Sequence, residues 1–241
     1  WESEEHHARW REAAPGRLEA AELVTVDEAV WRFAQGFDTA RKLLAALPEH
    51  EARAHELDRG LRALMQRIPA KGTPAAMHAA CTAAFPELAA LLMGRGPSTP
   101  VTCDAVGHAH IDTAWLWPIA ETRRKCLRTF ANVLRLQERY PKFHFLCSQA
   151  QQYAWVEESS PELFAQIAER VREGRWEAAG AMWIEPDATC PSGESFVRQI
   201  LHGCGYWRSR FGAAAPQRFL YLPDTFGFPA SLPQLMAQAG I

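Results

Sequence analysis

The stretch VTCDAVGHAHIDTAWLWP, residues 101–118, joins a short apolar run to a cluster of potential metal ligands and aromatic side chains. The run that ends at His108 is typical of a buried β-strand, and His110, Asp112 and Trp115 follow it directly. In an extended chain, residues i and i+2 share a side and lie about 6.6 Å apart. Either His108 with His110 or His110 with Asp112 could therefore hold one ion, and the spacing leaves both pairs open.

The pattern of an apolar run followed by a helix recurs along the rest of the chain. Three further runs predict strands: FHFLCS (143–148), WEAAGAMWI (176–184) and RFLYLP (218–223). Ser160 and Ser192 are predicted N-caps of helices, and residues 231–241 predict a last helix. The repeated alternation of strand and helix predicts an α/β fold, with a parallel β-sheet covered by helices.

Residues 1–99 are predicted to form a helical segment that precedes the sheet. Apolar residues recur at helical spacing in three windows: 25–47, 51–68 and 75–93. Thr25 and Glu28 stand at the spacing of a capping box, which predicts the start of the first helix. Pro86 is predicted to kink or split the third helix. The loop GRGPSTP (94–100) then leads into the α/β portion, residues 100–241.

The composition of the chain excludes several classes of protein. It has 241 residues, 48% of them hydrophobic, and a net charge of −2, which suits one large domain or a domain with an appendage. The charge gives no reason to expect a nucleic-acid partner, and no apolar stretch is expected to reach the ~18 residues of a membrane span. Six cysteines without a CxxC pair predict reduced thiols and a cytoplasmic location. The missing initial Met suggests an excised piece.

Polar side chains follow the later predicted strands at the point where each strand ends. Ser148 and Gln149 follow the second strand, Glu185 and Asp187 the third, and Asp224 the fourth. Ligands of parallel α/β sheets bind at the carboxyl ends of the strands, so these residues are expected to share a site with the ligand pair after the first strand. A histidine nitrogen with carboxylate oxygens suits Zn²⁺ or a similar divalent ion. Asp187 is the predicted third ligand.

Two kinds of chemistry fit these strand ends. The HxH of His108 and His110 is also typical of metal-dependent amidohydrolases, but that chemistry needs further histidines, and none stands beside Asp187 or Asp224. Carboxylates with neighbouring aromatic residues fit sugar chemistry better, because aromatic rings stack on pyranose faces and carboxylates act as acid, base or nucleophile. A metal-dependent amidohydrolase or sugar deacetylase stays open as an alternative, and so does a non-catalytic carbohydrate-binding or interaction module.

Four motifs in order resemble the glycoside hydrolase family 38 α-mannosidases. They are GHAHIDTAWLWP (107–118), CSQAQQYAWVE (147–157), MWIEPDATCPSGESFVRQ (182–199) and YLPDTFGFPASLPQLMAQAGI (221–241). The likeness runs from about residue 100 to the end of the chain. It is closer to the cytosolic and vacuolar branch of the family than to the Golgi or lysosomal branch.

The resemblance implies a metal-dependent enzyme that hydrolyses terminal α-linked mannose with retention of configuration. Zn²⁺, or Co²⁺ in this branch, would hold the 2- and 3-hydroxyls of the sugar. The residues that match the family's site are His110 and Asp112 as metal ligands, Asp187 as both ligand and nucleophile, Trp115 beneath the sugar and Asp224 in a supporting, substrate-binding role. His108 is then expected to be a neighbour of the site and not a ligand.

The resemblance also implies components that these 241 residues lack. The family's fourth metal ligand, a histidine, and its acid/base aspartate lie further along its members' sequences than the last motif matched here. The chain is therefore expected to be the N-terminal part of a barrel-like glycosidase domain that binds metal weakly and turns over little by itself. Mannose-containing oligosaccharides in the cytoplasm are the expected partners, with no nucleic acid and no membrane, and homo-oligomerisation of the full-length protein is left open.

Overall fold

The structure is a computed structural model that describes residues 24–93 and 103–241. The described residues divide into two compact units, a helical unit of residues 24–93 and an α/β unit of residues 103–241. The loop predicted over 94–100 and the first two residues of the predicted first strand lie outside the described residues. The boundary predicted after residue 99 therefore stays a prediction.

The helical unit consists of α1 (Glu28–Ala46), α2 (Ala52–Arg67) and α3 (Pro74–Leu92), which confirms the three helices predicted from apolar spacing. One face of each helix is apolar, and burying the three faces together removes them from water. The buried core residues are Phe33, Ala40, Leu57, Leu61, Leu64, Cys81, Ala84 and Leu88.

The start of α1 differs from the prediction. Asp27 is the N-cap, and its Oδ1 accepts hydrogen bonds from the backbone N–H groups of Ala29 (3.0 Å) and Val30 (3.1 Å). A carboxylate is a stronger acceptor than a hydroxyl and is favoured by the positive end of the helix dipole. The capping-box interpretation of Thr25 was wrong because Glu28 is itself the first helical residue.

Helix α3 bears on two further expectations. It runs unbroken through Pro86, so the proline does not split it, because the apolar residues on either side of the proline, Cys81, Ala84 and Leu88, are all buried in one core. A kink at Pro86 stays a prediction. The helix is also long and apolar enough to cross a membrane, judged by length and composition alone. The sequence-based expectation overlooked it because much of its apolar character comes from alanines, with Glu87 as its only charged residue.

The α/β unit is built on three short parallel strands in the order β1-β2-β3. They are β1 (Gly107–His108), β2 (Phe145–Cys147) and β3 (Trp176–Ala178). The helices of the unit are α4 (Ile119–Arg139), α5 (Ala150–Ser159), α6 (Pro161–Arg172), α7 (Gly193–Phe211) and α8 (Leu232–Ala239). This arrangement confirms the predicted α/β class, and parallel pairing brings the carboxyl ends of the strands to one edge of the sheet.

Two elements of this unit differ from the prediction. The fourth strand, predicted over 218–223, is reduced to a single parallel bridge between Gly180 and Leu220. Pro216 precedes this segment and Pro223 ends it, and neither has an N–H to donate to a ladder, which limits the pairing of the segment. Helix α5 was not predicted as a separate element. Its buried face includes the polar Gln152, so the sequence shows no clear apolar spacing there.

The core of the α/β unit is rich in aromatic residues. The indole N–H of Trp176 donates to the hydroxyl of Tyr153 (2.7 Å), which donates to the carbonyl of Cys147 (2.8 Å). Gly203 on α7 lies so close to the backbone at Ala181 that a Cβ at this position would overlap it. The segment that follows β3 is therefore packed directly on α7, and this segment leads on to Glu185 and Asp187.

Candidate metal centre

Three side chains converge beyond the carboxyl ends of the strands. His110 follows β1, and its Nε2 lies 3.1 Å from Oδ1 of Asp112 and 3.4 Å from Oδ2 of Asp224. The three ligand atoms all lie within 4.8 Å of one another. Two carboxylates this close repel each other unless a cation lies between them, and one imidazole nitrogen with carboxylate oxygens is a donor set that Zn²⁺ accepts. The residues present fit a divalent metal ion.

The backbone of the loop after β1 is held by buried glutamines. The side-chain amides of Gln149 (2.8 Å) and Gln152 (2.7 Å) both donate to the carbonyl of Ile111, between the two predicted ligands. Thr113 also donates its hydroxyl to Oε1 of Gln149 (2.6 Å). Gln149 itself has a φ of 68°, a left-handed conformation that is unfavourable for a residue with a side chain. The sequence placed Gln149 at a strand end but gave no indication of this role.

Thr122 holds the same loop from α4. Its hydroxyl donates to the carbonyl of Asp112 (3.0 Å) and accepts from the N–H of Ala114 (3.1 Å) and from the indole of Trp117 (3.0 Å). Ala114 has a φ of 68°, so this backbone is again in the left-handed region. The carbonyl of Asp112 is thus fixed from a buried side chain, which limits the positions that its carboxylate can reach.

Glu185, in the segment after β3, contacts the other side of the His110 ring. Its Oε2 lies 2.8 Å from Nδ1 of His110, and its Oε1 accepts a hydrogen bond from the hydroxyl of Ser148. The contact with Glu185, and secondarily that with Asp112, raises the pKa of His110 to about 9 against the opposing effect of burial. The only sequence signal for Glu185 was its position at a strand end.

The structure places Asp187 differently from the other predicted ligands. Its Oδ1 accepts hydrogen bonds from the N–H (2.6 Å) and hydroxyl (2.8 Å) of Thr189 and from the N–H of Cys190 (3.1 Å). These donors, led by the backbone N–H of Thr189, lower the pKa of Asp187 and keep it ionised. Its carboxylate is not part of the close group of ligand atoms, where Asp224 stands instead.

Aromatic side chains lie next to the predicted ligands. Trp115, three residues after Asp112, is 49% exposed and stands edge-on to Trp117 at 5.3 Å between ring centroids. Phe226, two residues after Asp224, is 95% exposed. Exposed aromatic faces beside carboxylates are a common feature of sugar-binding sites.

His108 is held away from the group of ligand atoms. Its Nδ1 donates to the carbonyl of Leu146 (2.9 Å), and its ring stands edge-on to Tyr221 at 4.8 Å. Of the two ligand pairs that the strand spacing left open, the structure therefore brings His110 and Asp112 together.

Comparison with known proteins places the α/β unit in a known family. The family described as "Glycosyl hydrolases family 38 N-terminal domain" matches residues 100–241. Alpha-mannosidase 2C1 of Homo sapiens is 44% identical over 169 residues, which is 67% of this chain and 16% of that protein. Alpha-mannosidase G of Dictyostelium discoideum is 45% identical over 137 residues, or 57% of this chain and 12% of that protein.

A yeast protein is similar to this chain to about the same degree. Alpha-mannosidase of Saccharomyces cerevisiae is 42% identical over 137 residues, covering 56% of this chain and 12% of the yeast protein. The matched region thus spans 12–16% of the length of these relatives.

Proposed function

Since the chain belongs to the glycoside hydrolase family 38 N-terminal domain family, we propose that it forms the metal-binding part of an enzyme that removes terminal α-linked mannose from oligosaccharides. The observation that carries this proposal is the convergence of His110, Asp112 and Asp224 at the carboxyl ends of the parallel strands. Relatives that are named alpha-mannosidases support mannose as the sugar.

The proposed metal is Zn²⁺, with Co²⁺ as an alternative, and its proposed ligands are His110, Asp112 and Asp187. When bound, the ion would hold the 2- and 3-hydroxyls of the mannose and favour distortion of the ring toward the oxocarbenium-like state. Asp224 supplies a further carboxylate within reach of the same histidine nitrogen, which suits a supporting role toward the ion or the sugar.

Asp187 is the proposed nucleophile. Three hydrogen bonds hold its Oδ1, whereas Oδ2 accepts none from the residues that the structure describes, so one oxygen is anchored and the other is available for bonding. In a retaining reaction, this oxygen would form a bond to C1 as the bond from C1 to the leaving oxygen breaks, and water would then release the sugar. The lowered pKa of Asp187 keeps the carboxylate in the ionised form that attack requires.

Trp115 is the proposed platform for the mannose ring. Its half-exposed indole lies on the loop that carries His110 and Asp112, so a sugar stacked on it would present its hydroxyls toward the proposed ion. The acid/base carboxyl that retention also needs, about 5–5.5 Å from the nucleophile, is proposed to come from outside these residues. The 241 residues alone are accordingly expected to bind metal weakly and to turn over little.

The proposed setting is the cytoplasm, and the proposed substrates are mannose-containing oligosaccharides. All six cysteines lie within the described residues and are unpaired there. Reduced thiols are the usual state in the cytosol, which supports this location.

Hydrolysis of p-nitrophenyl α-mannoside by the full-length protein tests the proposal. We expect metal-dependent turnover and an α-configured first product in a rapid NMR assay, together with metal content that falls in His110→Ala. Release of acetate or ammonia from acetylated or aminated sugars, without cleavage of the mannoside, would favour the amidohydrolase or deacetylase alternative. Sugar binding that persists without any turnover would favour the non-catalytic module.

A further inference from the structure

We infer that Glu185 is a positioning residue of the metal centre, which holds the Nδ1 side of His110 so that Nε2 faces Asp112 and Asp224. The inference rests on the proposed metal site. It adds a residue for which neither the motif spacing nor the choice of ligands provides a role.

The first argument comes from burial. The side chain of Glu185 is only 6% exposed, and Ser148, itself buried, donates its hydroxyl to Oε1. The other oxygen, Oε2, is fully buried and accepts no hydrogen bond from the described residues, and its one ion-pair contact among them is with Nδ1 of His110 at 2.8 Å. A buried carboxylate is costly unless a positive or donating group compensates it. His110 is the group that provides this compensation.

The second argument comes from the two sides of the imidazole ring. Glu185 lies at Nδ1, while Asp112 and Asp224 lie at Nε2. A bound ion would take the place of the Nε2 proton that faces Asp112, while the Nδ1 proton would stay on the side of Glu185. This is the usual relation between a metal-bound histidine and a carboxylate behind it, which fixes the tautomer and the orientation of the ring.

The third argument is that Glu185 is itself held in place. The N–H of the preceding residue, Ile184, donates to Oε1 of Gln199 on α7 (2.9 Å), and the N–H of Trp183 donates to the carbonyl of Gln199 (2.9 Å). Gly180, with a φ of 97°, approaches Ser148 so closely that a Cβ would lie 2.8 Å from the Ser148 Cβ. The glutamate is therefore fixed both by α7 and by the end of β2.

Titration of the full-length protein with Zn²⁺ alone, and with Co²⁺ as a spectroscopic probe, tests the inference. We expect Glu185→Ala to weaken metal binding by about 10–100-fold, as is typical when the carboxylate behind a metal-bound histidine is removed. Glu185→Gln keeps the size of the side chain and an oxygen that can accept from Nδ1–H, so its affinity should lie between those of Glu185→Ala and the unaltered chain. Glu157→Gln is the matched control. It alters a partly buried glutamate that accepts hydrogen bonds from Tyr206 and Arg210, and it should leave the metal affinity unchanged.

NMR of the Zn²⁺-loaded chain gives a readout that a purely structural role would not change. The unaltered chain should show a slowly exchanging Nδ1–H signal of His110 at low field, which Glu185→Gln weakens and Glu185→Ala removes. Unchanged affinity and an unchanged Nδ1–H signal in both variants would overturn the inference. If Glu185→Ala fails to fold, Glu185→Gln decides the question. Equal metal binding by His110→Ala and the unaltered chain would instead overturn the metal site itself.

Discussion

The helical unit and the α/β unit differ in what they bury. The core residues of the helical unit are all apolar, and its charged pairs lie toward solvent, as with Asp58 and Arg62. The polar residues that are buried as a whole all belong, among the described residues, to the α/β unit: Thr122, Gln137, Ser148, Gln149 and Gln152. Burying a polar group is tolerated only when it is hydrogen-bonded, so such groups indicate where backbone must be held in a specific position. Four of the five surround the proposed metal centre.

The largest expected effect would confirm that the chemistry belongs to the α/β unit. Asp187→Asn in the full-length protein should lower kcat for p-nitrophenyl α-mannoside by several orders of magnitude, because an amide oxygen is a poor nucleophile. Asp104→Asn, which alters an exposed aspartate before β1, should leave kcat unchanged. Full activity of Asp187→Asn would remove this residue from the mechanism.

A core truncation in the helical unit should affect stability and not the site. Leu64→Ala removes a buried side chain from the three-helix core and should lower the free energy of unfolding by about 2–5 kcal/mol. Hydrogen exchange at the amides of α1, α2 and α3 would measure the loss, with the 49%-exposed Met65→Ala as a control that changes little. A matching loss of Zn²⁺ affinity at a temperature where the variant is folded would contradict the separation of the two units.

Two glutamine substitutions compare a buried amide at the site with one away from it. Gln152→Leu and Gln137→Leu each remove an amide that donates to one backbone carbonyl, that of Ile111 and that of Arg175. Both should destabilise the protein by about 0.5–1.5 kcal/mol, because each removes one hydrogen bond to a carbonyl that keeps a second donor, Gln149 for Ile111 and the N–H of Phe145 for Arg175. Only Gln152→Leu should weaken Zn²⁺ binding, since Ile111 lies between His110 and Asp112. Equal effects of both substitutions on Zn²⁺ affinity would mean that Gln152 acts through stability alone.

The smallest expected effect concerns the cap of α1. Hydrogen bonds from the backbone of Val30 and from His78 hold the pKa of Asp27 below its ordinary value of 3.8. Its contribution to stability is therefore complete above that value and is lost as the pH falls through the lowered pKa. Asp27→Ala should increase hydrogen exchange in the first turn of α1 at neutral pH, whereas Thr25→Ala should not. The opposite result would restore Thr25 as the cap.

The two units also differ in how much of them the sequence predicts. Helical spacing located all three helices of the first unit within three residues, because a single apolar face decides each of them. The predicted strand ends indicated that His110, Asp112 and Asp224 lie close together, since parallel strands bring their carboxyl ends to one edge of the sheet. The roles of Glu185 and Gln152 depend on which groups they meet across the fold, and no periodicity in the sequence records this. The prediction of a fourth strand was wrong for a related reason. Its composition suits a strand, but Pro216 and Pro223 limit its pairing.

The glutamine contacts to Ile111 have a consequence for the kinetics of metal exchange. Each strand of the sheet contributes only two or three residues, so the position of the loop after β1 depends on side-chain hydrogen bonds more than on the sheet ladder. Release of the Gln149 and Gln152 amides, together with the hydrogen bonds of Thr122, would open this loop while α4 and α7 stay folded, which is a local and not a global event. The dissociation rate of a bound ion is therefore expected to follow the frequency of this local opening, and it should be nearly independent of the overall stability of the protein.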